Sequence, residues 1–591
     1  MEAVTSLSTY NHNTMPTPQI LIVGAGPTGL TLAIELARRR VPFRIVDKAG
    51  GTTDKSKALV VHARTMEVFA RMGVVDEALR RGRRVERARI HAGGRLVLSA
   101  DMASLRDRTA YPYFLDLNQS DTEDILERRL RKLGHRVEWR TELTDLTQND
   151  DHATAELSAD GEAERGEFAY VVGCDGGHST VRERLGIHRP EGRYPSHFIL
   201  ADVAVRWRNA DDAWYAYLTD RGLFFAAPLS EPNRWRLILE EPWDEQAKHD
   251  DDYYREHREL GVDELQRLLD EMSPVAAEVS DPEWINHFSI PHGIADRYRR
   301  GRCLIAGDAA HVHSPLGGQG MNTGIQDAFN LGWKLAAVVC DGAPASLVDS
   351  YERERYPVGE ALLSSTDTLF RAILQRDSTV RHLRNGIAHL GDALGIADER
   401  MERQMSMLPV GYPDSPLNAD LGPHTLRSLL PEGVGQPARP GERAPDGAAL
   451  RNLRETRLFA ELDARRFTVL GFGGSGPGEA DGYFDGSGYA ELAGALREAE
   501  DGLGDLATFL PVTLRRPDST DPRLEGVLYD VYGELHDRYG VGERPQLVVV
   551  RPDGYVGLRA PMERAAEVVD YFLGRYVGSG VALAYDALVT A

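Results

Sequence analysis

The chain has 591 residues, too many for one ordinary domain, and about two to four domains are expected. Its 42% hydrophobic and 27% charged content suits a soluble globular protein. The excess of 91 acids over 69 bases, a net charge of −22, speaks against nucleic acid or an anionic membrane as a general partner. Cys174, Cys303 and Cys340 lie far apart with no C-x-x-C spacing, which argues against a disulfide framework or structural zinc and fits a reducing cytoplasm. Only six lysines occur, so arginine carries most of the positive charge, as in a GC-rich genome.

Residues 1–17 are polar, with neither a basic start nor an apolar h-region, and read as a disordered tail and not a signal peptide. No clean apolar run approaches the roughly eighteen residues of a membrane-spanning helix. The first ordered unit is PQILIVGAGPTGLTLAIELARRRVPFRIVD. Ile20 to Val23 suit a buried parallel strand, and Gly24, Gly26 and Gly29 complete G-x-G-x-x-G directly after it. The first glycine allows the tight turn, the second a close approach of backbone to a pyrophosphate, and the third close packing of helix on strand. Leu30, Ala33, Ile34 and Ala37 repeat at helical spacing, and Phe43 to Val46 form a second strand. Asp47 ends that strand, where a carboxylate accepts from a ribose hydroxyl. The unit implies an ADP-containing dinucleotide without separating NAD(P) from FAD.

Further along, YVVGCDGGHSTVRERLGI (170–187) reads as a strand, a Cys-Asp-Gly-Gly turn and a helix. Asp175 and Gly176 serve either a plain turn or a ligand, and Ser179 suits a helix cap. In GDAAHVHSPLGGQGMNTGIQDAFNLGWKL (307–335), a strand ends at Gly307-Asp308 and a helix begins near Gln319 to Asn322. Such a helix start offers free amides and partial positive charge to an anion. His311 and His313 form H-x-H, but a metal site needs a third ligand, so packing beside the glycine loop is the better reading.

Together, GAGPTG, CDGGHS and GDAAHVHSPLGGQGMN resemble the three fingerprints of the class A flavoprotein monooxygenases, the aromatic hydroxylases. VHARTMEVF, LNQSDTEDIL, ADRYRRGR and YERERYP are similar to the same family, over roughly residues 18–360. The resemblance implies a mixed α/β fold: a Rossmann-like FAD-binding domain with an inserted β-sheet substrate domain. It implies that Gly24, Gly26, Gly29 and Asp47 hold the ADP half of FAD, and that Gln119 contacts the pyrophosphate or ribityl side. Asp175 and Gly176 would serve FAD and the passing NADPH or NADH, and Asp308 the ribityl chain. Pro315, Gly318, Gly320, Met321 and Asn322 would run beside the isoalloxazine ring. Lys57 stands where the family usually has arginine, so a planar bidentate phosphate grip is missing there.

In such enzymes NAD(P)H reduces FAD, oxygen adds at flavin C4a, and the hydroperoxide passes its distal oxygen to an activated aromatic ring. The expected partners are therefore a small aromatic substrate and O2, with no nucleic acid and no membrane. Tyr215, Tyr217 and His292 are candidates for touching a phenolic oxygen. An aspartate that phenol-hydroxylase relatives carry near Leu59 is absent, which suggests an acidic or bulky polycyclic substrate. The resemblance and the arginine usage together point to secondary metabolism, such as antibiotic biosynthesis, in an actinomycete-like source.

The expected domains are FAD-binding at 18–189, substrate-binding at 190–290, and FAD-binding with helices at 291–407. A Pro/Gly-rich linker at 408–447 and a tail domain at 448–591 follow. RFTVLGF and QLVVVRPDGYVGLRA predict strands and a hairpin there, and PGERAPD and LVVVRPDGYVGLR resemble the thioredoxin-like tail of phenol hydroxylases. That tail has no cysteine, so it is expected to be a scaffold or homodimer contact. Two alternatives stay open: Baeyer–Villiger or epoxidising chemistry on the same fold, and a binding protein without turnover. A flavin halogenase is disfavoured because W-x-W-x-I-P is absent.

Overall fold

The computed structural model describes residues 19–53, 58–190, 192–241, 260–313, 317–374, 396–422, 437–474, 487–514 and 526–576. The expected N-terminal tail, Lys57 and Pro315 lie outside them. A six-stranded sheet forms the first core, in the order Arg299–Arg300, Cys303–Ile305, Tyr170–Gly173, Ile20–Val23, Phe43–Asp47, Glu138–Trp139. Neighbours from Cys303–Ile305 onward are parallel, so their carboxyl ends share one edge. Ile20–Val23 is buried along its length, in a core shared with helices such as Pro27–Arg38 and with the antiparallel strands Thr141–Gln148, Ala153–Ala159 and Glu162–Phe168.

GAGPTG, CDGGHS and Gly307-Asp308 therefore leave the ends of three adjacent parallel strands, although about 130 to 150 residues separate them in the chain. The helix Pro27–Arg38 packs against the long helix Gly320–Cys340. A Cβ at Gly324 would lie 2.4 Å from the Thr28 hydroxyl, and one at Gly332 would lie 2.7 Å from the Glu35 Cβ. These small residues, eight apart and hence on one helical face, let the two backbones approach closely.

An eight-stranded sheet carries the inserted region, in the order His311–Val312, Glu278–Ile294, Gly192–Arg206, Arg234–Glu240, Leu223–Pro228, Ala213–Leu218, Arg87–Ala92, Arg95–Asp101. Its last two strands come from the first FAD-binding segment, so the sheet is not confined to the 190–290 insert. One face packs on the helix Val262–Met272 through Tyr215, Tyr217, Phe224, Trp235, Leu237 and Leu239. Strand alternation sends Trp214, Ala216, Phe225, Arg236 and Ile238 to the other face.

A second eight-stranded sheet forms the C-terminal unit, with Phe467–Phe472 central and the hairpin Gln546–Val550/Val556–Pro561 beside it. Its edge strand Ala419–Asp420 comes from the stretch expected to be linker. The described parts of that stretch are packed: Tyr412 is buried, and Arg443 pairs with Glu67 at 2.5 Å. Glycine and proline there mark irregular backbone, not a free tether. Among the described residues, no helix is long and apolar enough to cross a membrane.

Candidate active site

The first cradle is shaped by backbone sterics. Gly24 has φ +100°, and a Cβ there would lie 2.3 Å from the Cys174 carbonyl oxygen. A Cβ at Gly29 would lie 1.9 Å from the Gly24 oxygen, whereas one at Gly26 would meet nothing within 4 Å. The middle glycine thus faces open space at the start of a helix, where a pyrophosphate fits. Asp47 accepts from the Ala25 amide at 2.7 Å and the Ala49 amide at 2.8 Å. A carboxylate keeps lone pairs beyond those two bonds for a ribose hydroxyl.

The second and third motifs are tied to the first. Thr28 lies against both Gly307 and Gly324. Arg182 donates to the carbonyls of Ala309 and Gly177, at 3.0 and 2.9 Å, and Arg189 donates to those of Asp308 and Gly177, at 2.6 and 2.7 Å. These arginines knit the 175–179 turn to the 307–309 turn. The Ser179 hydroxyl caps its helix by accepting from the Arg182 amide at 3.0 Å. Asp175 accepts from the Val181 amide at 3.1 Å, and burial raises its pKa. The Asp308 side chain is exposed at the mouth of this edge.

Gly317 and Gly318 take φ of +88° and +63°, and the helix follows from Gly320. The amides of Gly320, Met321 and Asn322 precede the first intrahelical bond, Thr323 N–H to the Gln319 oxygen at 2.9 Å. The Asn322 side chain is fully buried and taken up by protein. It donates to the Val60 and Gly318 carbonyls, at 2.8 and 2.7 Å, and accepts from the His62 amide at 3.0 Å. With its side chain taken up in this way, Asn322 offers its backbone amide at the helix start. His62, unremarked within VHARTMEVF, donates from Nε2 to the Gly317 carbonyl at 2.8 Å. Burial lowers its pKa to about 4, so the ring is neutral. Gln119 braces the neighbouring loop, accepting from the Ala58 amide at 3.3 Å and donating to Glu123 at 2.9 Å. His311 pairs with Asp327 at 2.8 Å, consistent with packing beside the glycine loop.

Tyr215 and Tyr217 are not brought to this edge. Their hydroxyls bond Ala210 and Asn209 on the helix-backed face, because alternation at Ala213–Leu218 turns odd-numbered residues there. His292 does approach: it pairs with Gly192, and the adjacent Gly293 pairs with Val312 in the strand His311–Val312 that follows the Gly307 turn. The opposite sheet face meets the FAD-binding part. Trp214 stacks on Phe114 at 4.0 Å and donates to Asp116 at 2.8 Å. Burial pushes Asp116 well above the ordinary carboxylate range. Phe114–Asp116 in turn pairs with Val60–Val61, beside the Gly318 loop.

Next to Trp214, one register row crosses seven strands: Leu98, Ile90, Ala216, Phe225, Ile238, Leu200 and Asn286. Most of its members are half-buried, and Asn286 at its end is exposed. With strands about 4.8 Å apart, the row is roughly 29 Å long.

Residues 17–366 match the FAD binding domain family, and residues 520–579 match the phenol hydroxylase C-terminal dimerisation domain. The chain belongs to the FAD-dependent aromatic monooxygenases. The monooxygenase is 41% identical over 417 residues to 6-methylpretetramide 4-monooxygenase of Streptomyces rimosus, covering 68% of this chain and 72% of that one. It is 30% identical over 567 residues to pentachlorophenol 4-monooxygenase of Sphingobium chlorophenolicum, covering 94% and 97%. Anhydrotetracycline hydroxylase from Streptomyces rimosus shares its fold with a TM-score of 0.68 at 27% identity, covering 94% of this chain and 99% of that one.

Proposed function

We propose that the monooxygenase uses NAD(P)H and O2 to hydroxylate a polycyclic phenolic or quinone-type aromatic in cytoplasmic secondary metabolism, as a homodimer. The observation that carries the substrate class is the half-buried apolar row facing the FAD-binding part. A lone phenol would cover a small fraction of its length, whereas a fused-ring compound covers much more. The 6-methylpretetramide and anhydrotetracycline relatives, named for fused-ring compounds, support the same reading.

FAD, when bound, supplies reduction, oxygen activation and oxygen transfer. Gly24, Gly26, Gly29 and Asp47 hold its ADP half, Gln119 and Asp308 its middle, and Gly318 to Asn322 the ring edge. The amides at the helix start stabilise negative charge there before it develops. Asp175 and Gly176 border the path of NAD(P)H. His292 is the side chain proposed to meet a substrate oxygen, and the apolar row orients the rings and excludes water.

The test is NADPH and NADH oxidation across single-ring phenols and fused-ring aromatics, with product masses. Stimulation and a gain of 16 mass units with fused rings are the expected result. Turnover restricted to single-ring phenols would overturn the substrate class. Insertion of oxygen into ketones would favour the Baeyer–Villiger alternative.

A further inference from the structure

The RPDG turn of the C-terminal hairpin does more than reverse the chain. Arg551 grips Glu354 with both terminal nitrogens, at 2.7 and 2.9 Å, and also pairs with Asp553 at 2.5 Å. Asp553 accepts from Asn330 at 3.2 Å and from the Trp333 indole at 3.1 Å. Lys334 donates to Glu354 at 2.6 Å and to Asn330 at 2.9 Å. The Asp553 carbonyl accepts from Arg64 at 2.6 Å, and the Pro552 carbonyl from Arg71 at 2.9 Å. All four charged side chains of the central cluster are excluded from solvent: two acids and two bases.

Asn330, Trp333 and Lys334 belong to the helix whose first turn, at Gly320–Asn322, faces the proposed ring site. Arg355, next to Glu354, extends the network towards that end. It donates to Asp327 at 2.6 Å and to the Thr323 carbonyl at 3.2 Å. Asp327 in turn accepts from the Gly307 amide at 3.1 Å and from His311 at 2.8 Å. Thr323, Asp327, Asn330 and Lys334 recur at i, i+4, i+7 and i+11, a polar stripe buried along one helical face. From Arg551 to the Gly307 turn the hydrogen bonds are direct, with one backbone step between Glu354 and Arg355.

Burying balanced charge is a poor source of stability but a strict constraint on register, because a shifted helix would strand unpaired ions. We propose that Arg551 and Asp553 are positioning residues for the flavin: the C-terminal domain sets the register of the flavin-loop helix within its own chain. This role is separate from dimerisation, and its first readouts need no substrate, so it stands or falls independently of the substrate class.

The test is the Glu354→Gln/Arg551→Gln double variant, which removes one acid and one base, the first change keeping side-chain length and the second shortening it. Its visible circular dichroism with FAD, its FAD dissociation constant, its melting temperature without FAD and its oligomeric state are measured against the parent. FAD binding about tenfold weaker and an altered flavin dichroism, with oligomeric state retained, are expected. Trp333→Phe, which deletes the indole donor to Asp553 together with part of a buried ring, is expected to shift the dichroism in the same direction by less. It serves as the test if the double variant does not fold. Leu453→Asn, at an exposed hairpin tip of the same domain, is expected to change none of these signals. Unchanged dichroism and FAD affinity in the folded double variant, or in Trp333→Phe if it must stand alone, would overturn the proposal. So would a change confined to oligomeric state.

Discussion

The two glycine-rich loops are held by different means. GAGPTG is enforced by contact of backbone on backbone within thirty residues and against Cys174. Gly317 and Gly318 are also held by hydrogen bonds from the side chains of His62 and Asn322, 260 residues apart in the chain. A steric cradle tolerates no added atom at its contact points. The hydrogen-bonded loop depends in addition on each polar partner and its protonation, although at Gly318, with φ +63°, a Cβ would also lie 2.8 Å from the Val60 Cβ.

Substitutions separate the two modes. Gly29→Ala should be the most damaging, because its Cβ meets the Gly24 carbonyl at 1.9 Å and neither backbone can retreat. More than about 3 kcal/mol of stability should be lost, and purified protein should be colourless. Asn322→Ala should cost about 2–3 kcal/mol by leaving the His62 amide and the Val60 carbonyl buried without partners. Chemical denaturation of the FAD-free protein measures both.

Mild acid should act on the second loop through His62. The folded-state pKa of His62 is about 4, below its ordinary 6.5. Between those values the unfolded chain binds the proton and the folded one does not. The stabilisation is therefore complete above pH 6.5 and lost as pH falls towards 4, with about 2 kcal/mol gone by pH 5. Melting of the FAD-free protein at pH 7 and pH 5 should show this slope, and His62→Gln should flatten it. The smallest effect on stability is expected from Gly26→Ala, within about 0.5 kcal/mol, since its Cβ meets no protein atom. FAD titration should nevertheless show weaker binding; unchanged affinity would mean that no phosphate approaches Gly26.

The difference between the loops also explains what was legible in the sequence. The strand–glycine–helix–strand–acid order of residues 20–47 is a local pattern, and its elements lie where that pattern places them. The helix start near Gly320 was equally local. His62 escaped notice because its role depends on a partner 255 residues away. Tyr215 and Tyr217 were drawn towards the substrate by residue type, yet only the pleat decides which face a strand residue takes. The polar stripe from Thr323 to Lys334 has helical spacing but looks solvent-facing until Arg355 and the 307–311 segment cover one end and the C-terminal hairpin the other.

By itself the sequence determined the dinucleotide unit, the family motifs and the hairpin of the tail, because each rests on neighbours within a few dozen residues. Tertiary structure decided that three motifs share one sheet edge, which face of the second sheet meets the FAD-binding part, and that the RPDG turn docks on the helix Gly320–Cys340. Those outcomes depend on how parallel strands are ordered and on where buried charges find partners. Neither is written in any single stretch of chain.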